Sequence, residues 1–167
     1  MSLIAVIDFE TTGISPGHGD RATEVAIVLV EAGRVVDRFQ SLMNAGVRIP
    51  AFITELTGIS NAMVAAAPDA ARVMTDASRF VGSTPMVAHN ASFDRKFSVA
   101  ELTRAGLRAP QPFACTALLP PGLYPPAPNH TLALFVDHRH LSRTRPPPRP
   151  RSDSGPASAP DATRPDR

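Results

Sequence analysis

The fold is decided near the start of the chain, in the segment Leu3-Ile4-Ala5-Val6-Ile7-Asp8-Phe9-Glu10-Thr11-Thr12-Gly13. Residues 3–7 are all apolar, so both faces of the strand they form are apolar, a pattern typical of a central strand. Because alternate residues of a strand project from the same face, Asp8 and Glu10 point the same way. They stand where the strand ends, which is where α/β proteins bind ligands.

Two carboxylates held side by side repel each other, and a divalent cation with oxygen ligands relieves that repulsion. The pair of Asp8 and Glu10 therefore indicates a candidate metal site. An exposed acidic pair at a strand end is the alternative, and these two residues alone leave both interpretations open.

Beyond this segment, the pattern predicts a hairpin followed by alternating helices and strands. Two β-rich runs, 23–31 and 34–43, are joined by Ala32-Gly33, a connection short enough for an antiparallel hairpin. Helices are expected over residues 51–57, 61–66 and 68–81, and a short strand over 85–89. A last helix, capped by Asn90 or Ser92, places Phe93, Phe97 and Ala100 on a core face. This order predicts an α/β fold with a mixed sheet.

A second group of polar residues lies in His89-Asn90-Ala91-Ser92-Phe93-Asp94. The strand ends at His89 and Asn90, and Asp94 falls in the first turn of the helix that follows. Asp94 could be a metal ligand, or it could only complement the helix dipole, a contribution of ~0.3–1 kcal/mol. His89 and Asn90 could likewise be simple capping residues.

Composition limits what the chain can be. Its net charge is +2, its hydrophobic content is 43%, and no window reaches the roughly 18 apolar residues of a membrane span. Cys115 is the only cysteine, which excludes an internal disulfide and favours a cytoplasmic location. Residues 142–167 lack Val, Ile, Leu, Met, Phe, Tyr and Trp, so we expect one domain over 1–141 and a disordered Pro/Arg-rich tail.

Taken together, Asp-x-Glu-Thr-Thr-Gly at the end of a strand and His-Asn-x-x-Phe-Asp at the start of a helix resemble two motifs of the DnaQ-like (DEDDh) 3′–5′ exonucleases. This family includes the proofreading epsilon subunit of bacterial DNA polymerase III. Residues 20–26 and 56–64 are also similar to the family, and the resemblance extends over residues 2–141.

The resemblance implies a ribonuclease H-like mixed sheet flanked by helices. It implies that three of the four acidic ligands of two Mg²⁺ or Mn²⁺ ions are Asp8, Glu10 and Asp94. The substrate would be the 3′ end of single-stranded DNA or RNA, and a DNA polymerase subunit is a candidate partner.

The resemblance also implies a set of substrate-binding residues, namely Thr11, Thr12, His89, Asn90 and Phe93. Backbone N–H groups of Thr11 and Thr12 would hold the terminal nucleotide. Phe93 could stack on a base or pack in the core beside Phe97, and His89 is similarly open between a supporting role and packing.

The family's third motif, a general-base His followed five residues later by an Asp ligand, has no match in this chain. The segment 123–132 resembles the approach to that motif, and His130 belongs to the approach. His138 and His140 are followed at the fifth position by Arg143 and Arg145. The general base is therefore unassigned, and the C-terminal helix that carries it is expected to be lost or disordered.

Two explanations of the missing motif remain open: a reading-frame shift near residues 143–147, or a naturally truncated paralogue with a Pro/Arg-rich tail. Either one predicts impaired hydrolysis, and its extreme is a catalytically inactive module that binds nucleic acid or a polymerase. A phosphatase with Asp8 as nucleophile is disfavoured, because those enzymes have Asp rather than Glu at the third motif position and Asp94 would have no role.

Overall fold

The first strand, β1 (Ile4–Thr11), lies at the centre of a five-stranded sheet in the computed structural model, which describes residues 3–118. The remaining strands are β2 (Ala22–Glu31), β3 (Arg34–Leu42), β4 (Met86–Ala88) and β5 (Phe113–Cys115). The sheet order is β3-β2-β1-β4-β5, with antiparallel pairing from β3 to β1 and parallel pairing from β1 to β5. The predicted central strand and mixed sheet are confirmed.

Several sequence predictions lie outside the described residues. They are the tail over 142–167, the domain boundary at 141, the fate of the C-terminal helix, the approach segment 123–132, and the histidines at 130, 138 and 140.

The predicted β-hairpin joins β2 to β3 through Ala32 and Gly33, whose φ angles are 51° and 74°. Positive φ at both central positions is the geometry of a tight hairpin turn whose twist matches that of the flanking strands. The hairpin therefore begins and ends within a residue of the predicted positions.

Four α-helices flank the sheet: α1 (Ala51–Thr57), α2 (Asn61–Ala65), α3 (Ala70–Val81) and α4 (Ala91–Arg104). Helices α3 and α4 pack against each other and against the sheet face that carries Ala5, Ile7 and Phe9 of β1. Helices α1 and α2, together with the residues before and between them, form a smaller core. Its buried residues are Ile49, Ile53, Ile59 and Val64, packed against Leu42. No helix within residues 3–118 is long and apolar enough to cross a bilayer.

Helix α3 begins two residues later than predicted, at Ala70 rather than at Pro68. The reason is its cap: Asp69 Oδ1 accepts hydrogen bonds from Ala71 N at 2.8 Å and from Arg72 N at 3.4 Å. Such a cap satisfies backbone donors that have no partner inside the helix.

The core face predicted for α4 is wrong in part. Phe97 is fully buried, but Phe93 and Ala100 are only half-buried. The other residues that α4 buries are Ala91, Asp94, Ser98, Glu101 and Leu102, three of which carry polar or charged side chains. The hydrophobic pattern assigns polar residues to the solvent side of a helix, so the predicted core face of α4 does not include them.

The predicted cap of α4 also differs from the observed one. Asn90 occupies the capping position in a left-handed conformation, and within residues 3–118 its side chain makes no capping hydrogen bond to the backbone. Its Oδ1 accepts instead from Ser92 Oγ at 3.0 Å. The Ala91 N–H at the start of the helix donates to Cys115 Sγ at 3.3 Å.

Candidate active site

Strand β1 brings Asp8 and Glu10 to the sheet face opposite α3 and α4. Its buried residues are Ala5, Ile7, Phe9 and Thr11, and the alternating Asp8 and Glu10 are half-buried on the other face. The two carboxylates therefore share one face next to the end of the strand, as the spacing of two residues predicts.

Asp94 is brought to β1 because β4 is short. The Ala5 N–H donates to Pro85 O, just before β4, so the N–H groups of alternate β1 residues point towards β4. Strand β4 ends at Ala88, and beyond it the Phe9 N–H donates to Asp94 Oδ1 at 3.2 Å. The Asp94 carboxylate thus accepts a hydrogen bond that a strand carbonyl would otherwise accept. Its donor, Phe9, lies between Asp8 and Glu10, and Asp94 is only 2% exposed.

Burial and neighbouring carboxylates raise the pKa of all three residues. Burial, followed by the charge of Glu24, raises the pKa of Asp8 to about 6. Burial, followed by the charges of Asp8 and Glu24, raises the pKa of Glu10 to about 7. For Asp94, burial and then Asp8 raise the pKa to about 7, against the opposing effect of the Phe9 N–H. Such mutually repelling acids with pKa values near neutrality are characteristic of functional sites.

The donor chemistry fits a hard divalent cation, whose preferred ligands are carboxylate oxygens. Within residues 3–118, no three His, Cys, Asp or Glu side chains are grouped so that they could hold a metal ion. A cation bound by Asp8, Glu10 and Asp94 together would therefore require their carboxylates to move closer to one another.

Glu24 is a fourth acidic residue of this surface that the sequence analysis did not assign. It lies directly opposite Glu10 across the β1–β2 ladder, and Gln40 Nε2 donates to its Oε1 at 2.7 Å. The pairing of Glu24 with Glu10 could not be predicted from the sequence, because a long loop joins the two strands and the pairing register shifts between Glu10 and Thr11. Like charges facing each other across a ladder destabilise it.

The change Glu24→Gln is therefore expected to lower the pKa of Glu10 and to raise the free energy of unfolding by about 0.2–1 kcal/mol. The Gln side chain keeps an oxygen that can accept from Gln40. Carboxyl chemical shifts measured by NMR across a pH titration report the first effect, and urea unfolding reports the second. The control is Glu31→Gln, at the exposed end of β2. An unchanged Glu10 titration curve would contradict this account of Glu24.

The loop after Glu10 is fixed by its own threonines. Thr11 Oγ1 donates to Gly13 O at 2.6 Å, and Thr12 Oγ1 accepts from Arg21 N at 3.0 Å. The Thr12 N–H donates to Arg21 O at 2.9 Å, so this backbone group already has a partner within the protein. A Cβ at Gly13 would lie 2.5 Å from the Asp20 carboxyl, so a larger residue there would displace the Asp20 side chain.

The other predicted substrate-binding residues surround the start of α4. His89 Nδ1 lies 3.1 Å from Thr116 Oγ1, and Asn90 is exposed. Phe93 is half-buried, with its ring centroid 5.0 Å from that of Phe97 and 5.1 Å from Lys96 Nζ. Phe93 thus packs on the core with one part of its surface and is open to solvent with the rest.

A mixed five-stranded sheet that presents acidic residues from its central strand and from a flanking helix defines the ribonuclease H-like class of exonuclease folds. The chain belongs to the Exonuclease family (RNase_T), which it matches over residues 5–138. Members of this family are 3′–5′ exonucleases that typically use divalent metal ions.

Two relatives with similar sequences are proteins of Bacillus subtilis. The chain is 42% identical over 105 residues to the 3′-5′ exonuclease DinG of Bacillus subtilis, covering 63% of this chain and 11% of that protein. It is 40% identical over 129 residues to the PolC-type DNA polymerase III of the same organism, covering 76% of this chain and 9% of the polymerase. The chain thus spans about a tenth of the length of these relatives.

Solved structures agree with the fold. Exonuclease X in complex with 5′ overhanging duplex DNA superposes with a TM-score of 0.60 at 28% identity, covering 87% of this chain and 78% of that one. Escherichia coli exonuclease I in complex with single-stranded DNA gives a TM-score of 0.62 at 15% identity, covering 69% of this chain and 28% of that one. The second likeness shows the fold alone.

Proposed function

We propose that this chain is a divalent-cation-dependent exonuclease domain that hydrolyses phosphodiester bonds from the 3′ end of single-stranded DNA or RNA, in proofreading or repair. The ligands would be Asp8, Glu10 and Asp94, and the cation Mg²⁺ or Mn²⁺. The observation that carries the proposal is the hydrogen bond from the Phe9 N–H to Asp94, which ties the third carboxylate to the residue between the other two.

The chain's own residues contribute position and charge. Asp94 Oδ1 accepts from the Phe9 N–H, which holds this carboxylate beside β1. With pKa values of about 7, the carboxyls of Glu10 and Asp94 are partly protonated at neutral pH, and cation binding would displace those protons. Asp8, with a pKa of about 6, is mostly deprotonated there. Bound divalent ions would lower the pKa of an attacking water and stabilise the departing 3′ oxygen.

The nucleotide would be held by the loop after Glu10 and by residues at the start of α4. Thr11 and Thr12 fix the loop, and Ile14 beside it is 76% exposed, an apolar surface against which a base could lie. At the start of α4, Asn90 is exposed, whereas His89 and Phe93 are half-buried. Base contacts by such side chains tolerate any sequence.

The relatives named above suggest a setting. The PolC-type polymerases have exonuclease-like segments within much longer chains, so a DNA polymerase subunit is a candidate partner of this chain. The proposal treats DNA and RNA alike, because backbone contacts and metal chemistry serve both.

We propose low activity, because the general base and the fourth ligand of the family pattern have no match in the sequence. The absence of a general base typically costs ~10²–10⁴-fold in rate. The same sequence observation favours a second candidate, a catalytically inactive module that keeps the fold to bind nucleic acid or a polymerase.

The test is hydrolysis of 3′-labelled single-stranded DNA and RNA by the full chain with Mg²⁺ or Mn²⁺. Slow release of mononucleotides that Asp8→Asn abolishes and Asp76→Asn leaves unchanged is the expected result. Asp76 is a matched control, since it is a half-exposed aspartate on α3 that pairs only with Arg79 among the described residues. Equal rates for Asp8→Asn and the unaltered chain would overturn the metal-ligand assignment. DNA binding without hydrolysis would favour the inactive module.

A further inference from the structure

A buried ion pair connects α4 to the start of β2. Arg21 Nε and Nη2 donate to the two carboxylate oxygens of Glu101, each at 2.9 Å. The Glu101 side chain is 1% exposed and that of Arg21 is 19% exposed. Two parallel bonds between a guanidinium and a carboxylate fix orientation as well as distance.

The remaining polar atoms of this pair are also bonded. Arg21 Nη1 donates to Ala45 O at 2.9 Å. Glu101 Oε1 also accepts from Ala22 N at 3.2 Å and from Arg104 Nη1 at 3.4 Å. Removing one partner of a buried ion pair is strongly destabilising, because it leaves the other charge buried without compensation.

The backbone of Arg21 is hydrogen-bonded to the loop that follows Glu10. Its N–H donates to Thr12 Oγ1 at 3.0 Å and its carbonyl accepts from Thr12 N at 2.9 Å. A single residue therefore bonds the loop that follows Glu10 through its main chain and α4 through its side chain.

Glu101 lies seven residues after Asp94 on α4, and both are buried on the helix face that packs on the sheet. Two turns of helix separate them, so a shift of the Glu101 end moves Asp94 relative to β1. Helix α4 is thus attached to the sheet at two polar points: Asp94 on Phe9, and Glu101 on Arg21 and Ala22.

We infer that Arg21, through Glu101, is a positioning residue that holds Asp94 in register with Asp8 and Glu10 while fixing the Thr11–Thr12 loop. Its effect on metal binding rests on the proposed function. Its effect on the place of Asp94 does not, because the Phe9–Asp94 hydrogen bond joins two groups of the protein itself. Two readouts therefore separate the inference from the proposed function.

The first readout is amide hydrogen exchange of the full chain without divalent cations. The Phe9 N–H is held by Asp94, whereas other β1 amides are held by strand carbonyls, which provide an internal reference. In Arg21→Lys, which keeps the charge and loses the two-pronged contact, Phe9 is expected to exchange at least about tenfold faster relative to the β1–β2 ladder. Glu101→Gln, which preserves size and an acceptor for Ala22, is expected to act likewise.

The second readout is the Mg²⁺ and Mn²⁺ affinity of the same variants by calorimetry. A partner that orients a metal ligand typically contributes ~10–100-fold to affinity, so a loss of about tenfold is expected in Arg21→Lys. The control is Arg79→Lys, which alters an arginine 77% exposed in its pair with Asp76 and should change neither readout.

The outcomes are distinct. An unchanged Phe9 exchange ratio in Arg21→Lys or Glu101→Gln, whichever of them folds, overturns the inference whatever the metal result. Faster Phe9 exchange in a chain that binds neither Mg²⁺ nor Mn²⁺ supports the positioning role and contradicts the proposed metal site. Faster exchange together with weakened cation binding supports both.

Discussion

Replacing Asp94 with Asn is expected to reduce cation-dependent hydrolysis at least ~100-fold and, without divalent cations at pH 8, to stabilise the chain. The physical reason is charge. Burial and Asp8 raise the pKa of Asp94 to about 7, so at pH 8 the folded chain holds a buried negative charge that the unfolded chain exposes to water. Asn removes that charge and keeps an oxygen that can accept from the Phe9 N–H. Stabilising substitutions commonly contribute about 0.5–2 kcal/mol, and a gain in this range is expected.

The measurement is urea unfolding at pH 8 with a chelator, alongside the hydrolysis assay on 3′-labelled single-stranded DNA. The variant Asp76→Asn removes one negative charge from the half-exposed surface of α3 and controls for net charge. A variant at position 94 that is less stable than the unaltered chain at pH 8 would show that the repulsion is already relieved by other groups. Retained hydrolysis would remove Asp94 from the ligand set.

Local patterns predicted the frame of the molecule. The apolar run before Asp8 predicts a central strand, and the Ala32-Gly33 connection predicts the hairpin. The boundaries of α1 match the prediction at both ends. Each of these features follows from interactions between residues close in sequence, which is why a residue pattern contains them.

Contacts between distant residues could not be predicted in the same way. Asp94 meets Phe9 only because β4 stops at Ala88 and leaves one N–H of β1 without a strand partner. Nothing in the sequence near Asp94 specifies that length. Similarly, Glu24 faces Glu10 next to a shift of one residue in the pairing register, and alternation of apolar residues does not locate such a shift.

The buried polar residues of α4 show most clearly why a local pattern cannot predict contacts between distant residues. Glu101 is buried because Arg21, eighty residues earlier, supplies two hydrogen bonds to it. A hydrophobic pattern assigns Glu101 to solvent and draws the core face through Phe93 instead. Where a chain buries polar groups to hold a site, the residues that matter most to the site are those that the pattern misplaces.

The metal-free chain is expected to lose stability as pH rises from about 4 to about 7, and Mg²⁺ is expected to restore it. The unfolded carboxyls titrate near 3.8 for Asp and 4.5 for Glu, whereas in the fold Asp8 titrates near 6 and Glu10 and Asp94 near 7. Between these limits the folded chain binds more protons than the unfolded chain, so the free energy of unfolding falls as pH increases. Above about pH 7 both states are deprotonated and this dependence ends.

Cation binding requires the deprotonated carboxylates, so the stabilisation by Mg²⁺ should grow over the same pH interval. At a concentration one hundred times the dissociation constant, a ligand of the folded state contributes about 2.7 kcal/mol, or roughly 5–10 °C in melting temperature for a chain of this size. Thermal unfolding at pH 5, 6, 7 and 8 with Mg²⁺ or a chelator measures both effects. In Asp8→Asn the Mg²⁺ response should shrink at every pH, whereas in Asp76→Asn it should not. A Mg²⁺ stabilisation that is equal at pH 5 and pH 8 would mean that the cation binds elsewhere than at these three carboxylates.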